Sequence, residues 1–171
     1  MKDKIEFIAF DADDTLWESE LYIQEFEHKF CNLLRQYLPA SSISQRFFET
    51  EMKNLHMYGY GLKSIMLSMT ETICKVTDGN GNMHLIEEVI GWGQELLQKP
   101  VTLLEGVKET YRHFMGNINW CWPLRGTCST RKKIEASGLR EYFHHIEIMS
   151  DKKIDDYQRL IDTLAVRLKN S

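Results

Sequence analysis

The sequence predicts an α/β protein, a parallel sheet whose first strand is separated from the rest by a long, all-helical insertion. Three observations carry this. The run Ile5-Glu6-Phe7-Ile8-Ala9-Phe10 is apolar, aromatic-rich and of strand length, and it ends abruptly in Asp11, Asp13 and Asp14. From Ser19 to Lys99 apolar residues recur at helical spacing, with no convincing strand. After Pro100, helical and strand-like stretches alternate, an order that favours right-handed crossovers and parallel pairing. Strands are expected near residues 5–10, 118–122 and 145–149.

The first strand delivers Asp11 and Asp13 to its carboxyl end, where open α/β sheets keep their ligand crevices. Two carboxylates at i and i+2 suit an oxygen-loving cation such as Mg²⁺, which takes one or two carboxylates plus substrate phosphate. A carboxylate beside such a cation can attack phosphorus and form an aspartyl-phosphate. The residues alone leave a plain alternative open, a polar strand-to-loop turn, because Asp is common in turns.

In the insertion, Leu21, Tyr22, Phe26, Phe30, Leu33, Leu34 and Tyr37 mark a first helix that Pro39 ends. A second, capped by Ser42 or Ser44, runs through Phe47, Phe48, Met52 and Leu55. A third spans Leu62 to Val76 and ends at the turn Thr77-Asp78-Gly79-Asn80-Gly81, and a fourth runs from His84 to Gln98 before Pro100. Met52, Met57, Met66 and Met69 read as core of this helical part. Tyr58-Gly59-Tyr60-Gly61 and Lys63 are candidates for contact with substrate, Tyr60 and Lys63 foremost. The alternative has the tyrosines packed between helices and Lys63 solvated.

Glu105 to Met115 reads as an amphipathic helix with Val107, Tyr111 and Phe114 on one side. Lys133-Ile134-Glu135-Ala136-Ser137-Gly138-Leu139 reads as a helix with a glycine C-cap, and His145 to Ser150 as a short strand. Asp151-Lys152-Lys153 stands at that strand's carboxyl end, before a helix from Asp155 to about Leu168. His144 and His145 read as a loop residue and a strand start, since nothing supplies a further ligand at metal spacing.

A chain of 171 residues with 43% hydrophobic content is long enough to bury a real core in one domain, or in a domain with an insertion. Net charge is −4 without a basic cluster, so nucleic acid is not an expected partner. The N-terminus has no apolar signal core and no run reaches membrane-spanning length, so no membrane partner is expected. Cys31, Cys74, Cys121 and Cys128 show no C-x-x-C spacing, which points to neither zinc nor a disulfide framework and to a reduced cytoplasm.

Phe10-Asp11-Ala12-Asp13-Asp14-Thr15-Leu16 resembles the D-x-D-x-T signature of the haloacid dehalogenase-like (HAD) hydrolase superfamily. The resemblance implies a Rossmann-like core over residues 1–16 and 101–171, with a helical cap over 17–100 that excludes water and chooses the substrate. It makes Asp11 the nucleophile and Asp13 the general acid/base, with both on Mg²⁺, the latter through its backbone carbonyl. Thr15 would help fix the loop. An Asp at position 13 marks phosphatases of the family and opposes a dehalogenase, so a small phosphorylated metabolite is the expected partner. Leu103-Leu104-Glu105-Gly106-Val107 is similar to the segment returning from the cap. Family phosphatases place a lysine after the third strand to hold nucleophile and phosphate together; Lys152 is the first candidate and Lys153 the second, against a solvated basic pair.

Two departures stand beside this. The family expects an apolar strand ending in a phosphate-binding Ser or Thr where this chain reads Asn119-Trp120-Cys121-Trp122-Pro123-Leu124-Arg125-Gly126-Thr127-Cys128-Ser129-Thr130-Arg131, and Pro123 is poor in a central strand. Back-translated with suitable synonymous codons and read from the third base, the stretch gives Leu-Val-Leu-Ala-Thr-Lys-Gly-Asp-Leu-Leu-Asp-Gln, an apolar strand followed by a threonine. A frame change restored near Lys132 is therefore expected. Arg167 to Ser171 similarly yields Pro-Glu-Glu-Phe-Leu in a displaced frame, and the strand bearing the last metal acids would lie past Ser171. On this reading the core lacks its last strands, catalysis is impaired or lost, and Ile5–Phe10 forms an apolar edge open to self-association. A frame-damaged, inactive remnant or a binding module is the alternative to an enzyme.

Overall fold

The computed structural model describes residues 7–114, 119–125, 128–149 and 152–169. The chain divides into two compact units, Met1–Glu18 with Val101–Ser171, and Ser19–Pro100. The boundary expected after residue 16 falls at Glu18, for a physical reason. Trp17 is 1% exposed in the apolar cluster of the first unit, bridges Leu103, and is followed by Glu18, whose N–H donates to the Thr102 carbonyl at 3.1 Å.

In the first unit the strands β1 (Phe7–Ala9), β2 (Asn119–Arg125) and β3 (His145–Met149) make a parallel sheet ordered β1-β2-β3. Phe7 lies opposite Asn119 and Ala9 opposite Cys121, while Cys121 to Arg125 pair with His145 to Met149. Alternation along the strands separates two apolar clusters. Ile8, Phe10 and Ile146 pack with Ala12, Leu16 and Trp17, with Val107 and Tyr111 of helix α5 (Val107–Phe114), and with Ile134 of α6 (Cys128–Ser137). Cys121 and Met149 instead pack with Leu160 and Leu164 of α7 (Ile154–Lys169). Gly138, at φ 65°, ends α6 in the left-handed conformation that the glycine predicts.

Pro123 sits inside β2, contrary to the expectation that it would be excluded from a central strand. Phe10 N–H donates to the Cys121 carbonyl at 3.1 Å, so the backbone groups of Cys121, and of Pro123 two residues on, face β1. Pairing with β1 stops at Cys121, whereas pairing with β3 continues to Arg125. The donor that proline lacks therefore falls where the shorter neighbour has already ended, and the β2–β3 ladder is kept.

The second unit contains α1 (Glu20–Leu33), α2 (Ala40–Tyr58), α3 (Leu62–Val76) and α4 (His84–Gln98), and no strand among its residues. Their core is Phe26, Phe30, Leu34, Ile43, Phe47, Ile65, Met69, Ile73, Leu85 and Val89. The first helix stops before Tyr37, because its end tightens into turns (Arg35 N–H to Asn32 O, 3.2 Å; Tyr37 N–H to Leu34 O, 2.9 Å) ahead of Pro39. The second begins at Ala40 rather than behind Ser42 or Ser44. The Pro39 carbonyl already accepts from Ser42 (3.0 Å) and Ile43 (3.1 Å), and its ring presets the backbone. Met69 is buried, but Met52 and Met57 are exposed: α2 turns Ile43, Phe47, Thr50 and Asn54 inward, Met52 lies on the opposite side, and Met57 stands in the helix's last turn. Among the described residues no helix is long and apolar enough to cross a membrane.

Candidate active site

The strand β1 ends in a loop that folds back on itself at once. Ala12 is buried, and its carbonyl accepts from the backbone N–H groups of Thr15 (3.2 Å) and Leu16 (2.8 Å). Asp14 takes a left-handed φ of 56°, and its N–H donates to the Trp17 carbonyl at 2.8 Å. With Leu16 and Trp17 as apolar anchors, this tight turn holds Asp11 and Asp13 out at the carboxyl end of the strand, each about half exposed. Thr15 contributes through its backbone, and its residue is exposed.

Each carboxylate meets an ammonium group that the chain brings from far away. Asp11 Oδ1 accepts from the Ala12 N–H at 2.8 Å and from Lys152 Nζ. The Lys152 side chain is 12% exposed. Its place is fixed by the start of α7, where the nearly buried Asp156 accepts the Lys153 backbone N–H at 2.9 Å and also pairs with Arg159. The Lys153 hydrogen bond, with the Arg159 contact behind it, holds the Asp156 carboxyl below the usual range. Of the two lysine candidates, Lys152 is thus the one that meets Asp11 through its side chain.

Asp13 Oδ1 accepts from the Trp17 indole N–H at 2.8 Å and from Lys133 Nζ at 2.9 Å. The same ammonium stands 6.0 Å from the centre of the Trp17 ring. Sequence reasoning used Lys133 only to mark a helix and gave Trp17 no role beyond its place at the start of the expected cap. The indole, four residues from Asp13, carried a local hint of contact. Nothing local could place Lys133 there, because its contact depends on where α6 lies.

Asp11 and Asp13 are each paired with an ammonium group, Lys152 and Lys133 respectively. The donors fit Mg²⁺, a hard ion served by carboxylate and carbonyl oxygen; Asp11 and Asp13 are the residues that could hold it. Among the described residues no three His, Cys, Asp or Glu side chains gather to make a fuller metal cage. Water and substrate would therefore supply most of its coordination. A hollow of about 640 Å³ in the same unit is lined by Val101, Leu103, Leu104, Lys108 and Ser137 among others, and includes neither acid. The chemistry belongs to the carboxylates and not to that hollow.

Tyr60 and Lys63 belong to the helical unit, at the turn between α2 and α3 and at the start of α3. Tyr58 and Tyr60 are 47% and 41% exposed, and Lys63 is exposed. The packed alternative for the tyrosines does not hold, because Gly59 (φ 68°) and Gly61 (φ 107°) carry the chain out of α2 before it enters α3. His145 starts β3 and meets Glu147 at 2.9 Å, as a strand-start residue.

No family profile matches the sequence, and no curated protein does. Solved structures do. A haloacid dehalogenase-like family hydrolase from Xanthomonas campestris is 33% identical, covering 92% of this chain and 67% of that one, with a TM-score of 0.85. The putative HAD-hydrolase YfnB from Bacillus subtilis, solved bound to magnesium, is 14% identical over 93% of this chain and 72% of that one, at a TM-score of 0.52. L-2-haloacid dehalogenase from Xanthobacter autotrophicus is 13% identical over 94% and 65%, at a TM-score of 0.51. The last two share the fold and no more, so the fold does not choose between their chemistries.

Proposed function

This chain belongs to the haloacid dehalogenase-like family of hydrolases, and within that family we propose that it is a Mg²⁺-dependent phosphatase of small phosphate esters. The observation that carries the reading is the pair of carboxylates at the end of β1, each held by its own donors. A dehalogenase needs a nucleophile but no proton donor for a halide, whereas a phosphate ester needs both, and Asp13 beside Asp11 supports the second reading.

In the proposed reaction an Asp11 carboxylate oxygen attacks phosphorus while the ester P–O bond breaks. Protonated Asp13 gives its proton to the leaving oxygen, so the alcohol departs neutral. Water then attacks the phosphorus of the aspartyl-phosphate and passes a proton to Asp13, releasing inorganic phosphate and restoring Asp11. Lys152 holds Asp11 in line and offers its ammonium to the phosphoryl oxygens. Thr15 and the Ala12 carbonyl keep the loop closed around this geometry. Asp11 and Asp13 would hold a Mg²⁺ ion, which would supply charge neutralisation when bound.

The test is hydrolysis of an aryl phosphate with and without Mg²⁺. Asp11→Asn should abolish it, since an amide is no nucleophile here. Asp13→Asn should lower hydrolysis of alkyl esters by roughly 10²–10⁴-fold, the usual worth of general acid catalysis. Turnover unaffected by Asp11→Asn would overturn the assignment.

A further inference from the structure

We propose that Lys133, together with the Trp17 indole, is a positioning residue for Asp13, fixing one oxygen of its carboxylate so that the other handles the proton. The inference rests on the phosphatase reading above. Two donors converge on a single atom: Trp17 Nε1 lies 2.8 Å and Lys133 Nζ 2.9 Å from Asp13 Oδ1. They differ in kind. Trp17 is 1% exposed, packed with Leu16 and Val107, and bridged to Leu103 and back to Asp13 itself, so its N–H is a fixed donor built into the loop. Lys133 is 42% exposed and comes from α6, so it ties the loop to an element 120 residues away. An exposed ion pair alone would contribute little. Sharing the oxygen with a rigid indole donor gives the pair a defined geometry.

The chemical consequence is specific. With Oδ1 engaged by an ammonium and an indole N–H, Oδ2 is the oxygen this scheme assigns to the proton transfer. A fixed Oδ2 matters most when the leaving oxygen is a poor leaving group that cannot depart without a proton. It matters little when the leaving group is a stable anion such as a nitrophenolate. In this scheme Lys133 acts through Asp13.

The experiment compares kcat/KM of the full chain with Mg²⁺ on p-nitrophenyl phosphate and on a simple alkyl phosphate. Lys133→Met should lower the alkyl value by at least about tenfold and the aryl value by less than about threefold, a fraction of what general acid catalysis supplies. Lys133→Arg, which keeps a cation at that point, should restore most of the alkyl activity, and Trp17→Phe should act in the direction of Lys133→Met. Equal losses on both esters, or no loss on either, would overturn the proposal while leaving the phosphatase reading intact. Failure of that reading has a different signature, hydrolysis indifferent to Asp11→Asn. A second measurement needs no turnover: the Trp17 indole ¹⁵N–¹H resonance. It should shift, and its proton exchange faster with water, in Asp13→Asn and Lys133→Met but not in Lys133→Arg. An indole signal indifferent to Asp13→Asn would also overturn the proposal.

Discussion

Lys152 combines a backbone and a side chain that ordinary stability would not select. Its φ of 45° lies in the left-handed region, where a non-glycine residue costs of order 1–3 kcal/mol. Its ammonium, 12% exposed, is turned toward an Asp11 carboxylate that is 58% exposed, and such half-exposed pairs contribute at most about 1 kcal/mol. Replacing it with glycine removes the backbone strain and the ion pair together. Lys152→Gly should therefore leave the melting temperature unchanged or slightly raised while lowering kcat/KM for phosphate esters by about 100-fold, the scale of one lost charge-stabilising donor. A fall in stability matching the fall in activity would make Lys152 a structural residue instead. Asp11, Asp13 and Lys152 were legible because each stands directly after a strand-like run, where position along the chain implies position in space. Lys133 was not, since its contact with Asp13 Oδ1 exists only once α6 has docked, whereas the Trp17 contact is local and was open to a closer reading of the loop.

At the scale of elements, the helical unit shows what hydropathy could and could not reveal. The bounds of α3 and α4 agree with their apolar spacing, but the seam between α2 and α3 is polar. Thr50 and Asn54 of α2 and Ser64, Ser68 and Thr72 of α3 are all buried, and Asn54 Nδ2 donates to Ser68 Oγ at 3.3 Å across the seam. Asn54 Nδ2 donates to Glu71 Oε2 at 2.7 Å, and Lys75 reaches Thr50 Oγ1 at 3.0 Å and Glu71 at 2.8 Å. Small side chains at i, i+4 and i+8 let the two helices approach closely, and a reading that counts only apolar residues passes over them. Between α1 and α2 the charge balance is poorer. Burial, then the neighbouring carboxylates of Glu51 and Glu20, push the Glu27 carboxyl above its ordinary value, and burial does the same to Glu51. A carboxyl raised on folding binds its proton more tightly in the native state, so it detracts from stability as pH climbs from the unfolded Glu pKa of about 4.3 through the folded one. Glu27→Gln should raise stability at neutral pH, and the gain should shrink toward zero as pH falls below about 4. Urea melts at pH 7 and pH 4 check this, and an equal gain at both would show that charge is not the cause.

For the whole molecule, the order of one strand, a helical unit and then αβαβα was readable, because strand and helix periods differ and Pro39, Pro100 and Gly138 punctuate them. The sheet's tolerance of Pro123 was not, because it depends on β1 being shorter than β2, a property of the pairing and not of either strand. The proposed reaction requires Asp11 to become covalently phosphorylated, and that can be observed directly. The chain, mixed with Mg²⁺ and a ³²P-labelled aryl phosphate and quenched in acid within milliseconds to seconds, should carry label on the peptide containing Asp11. That label should be released by hydroxylamine, as an acyl phosphate is, and should be absent from Asp11→Asn. Turnover without protein-bound label under any quench, or label on a residue other than Asp11, would contradict it.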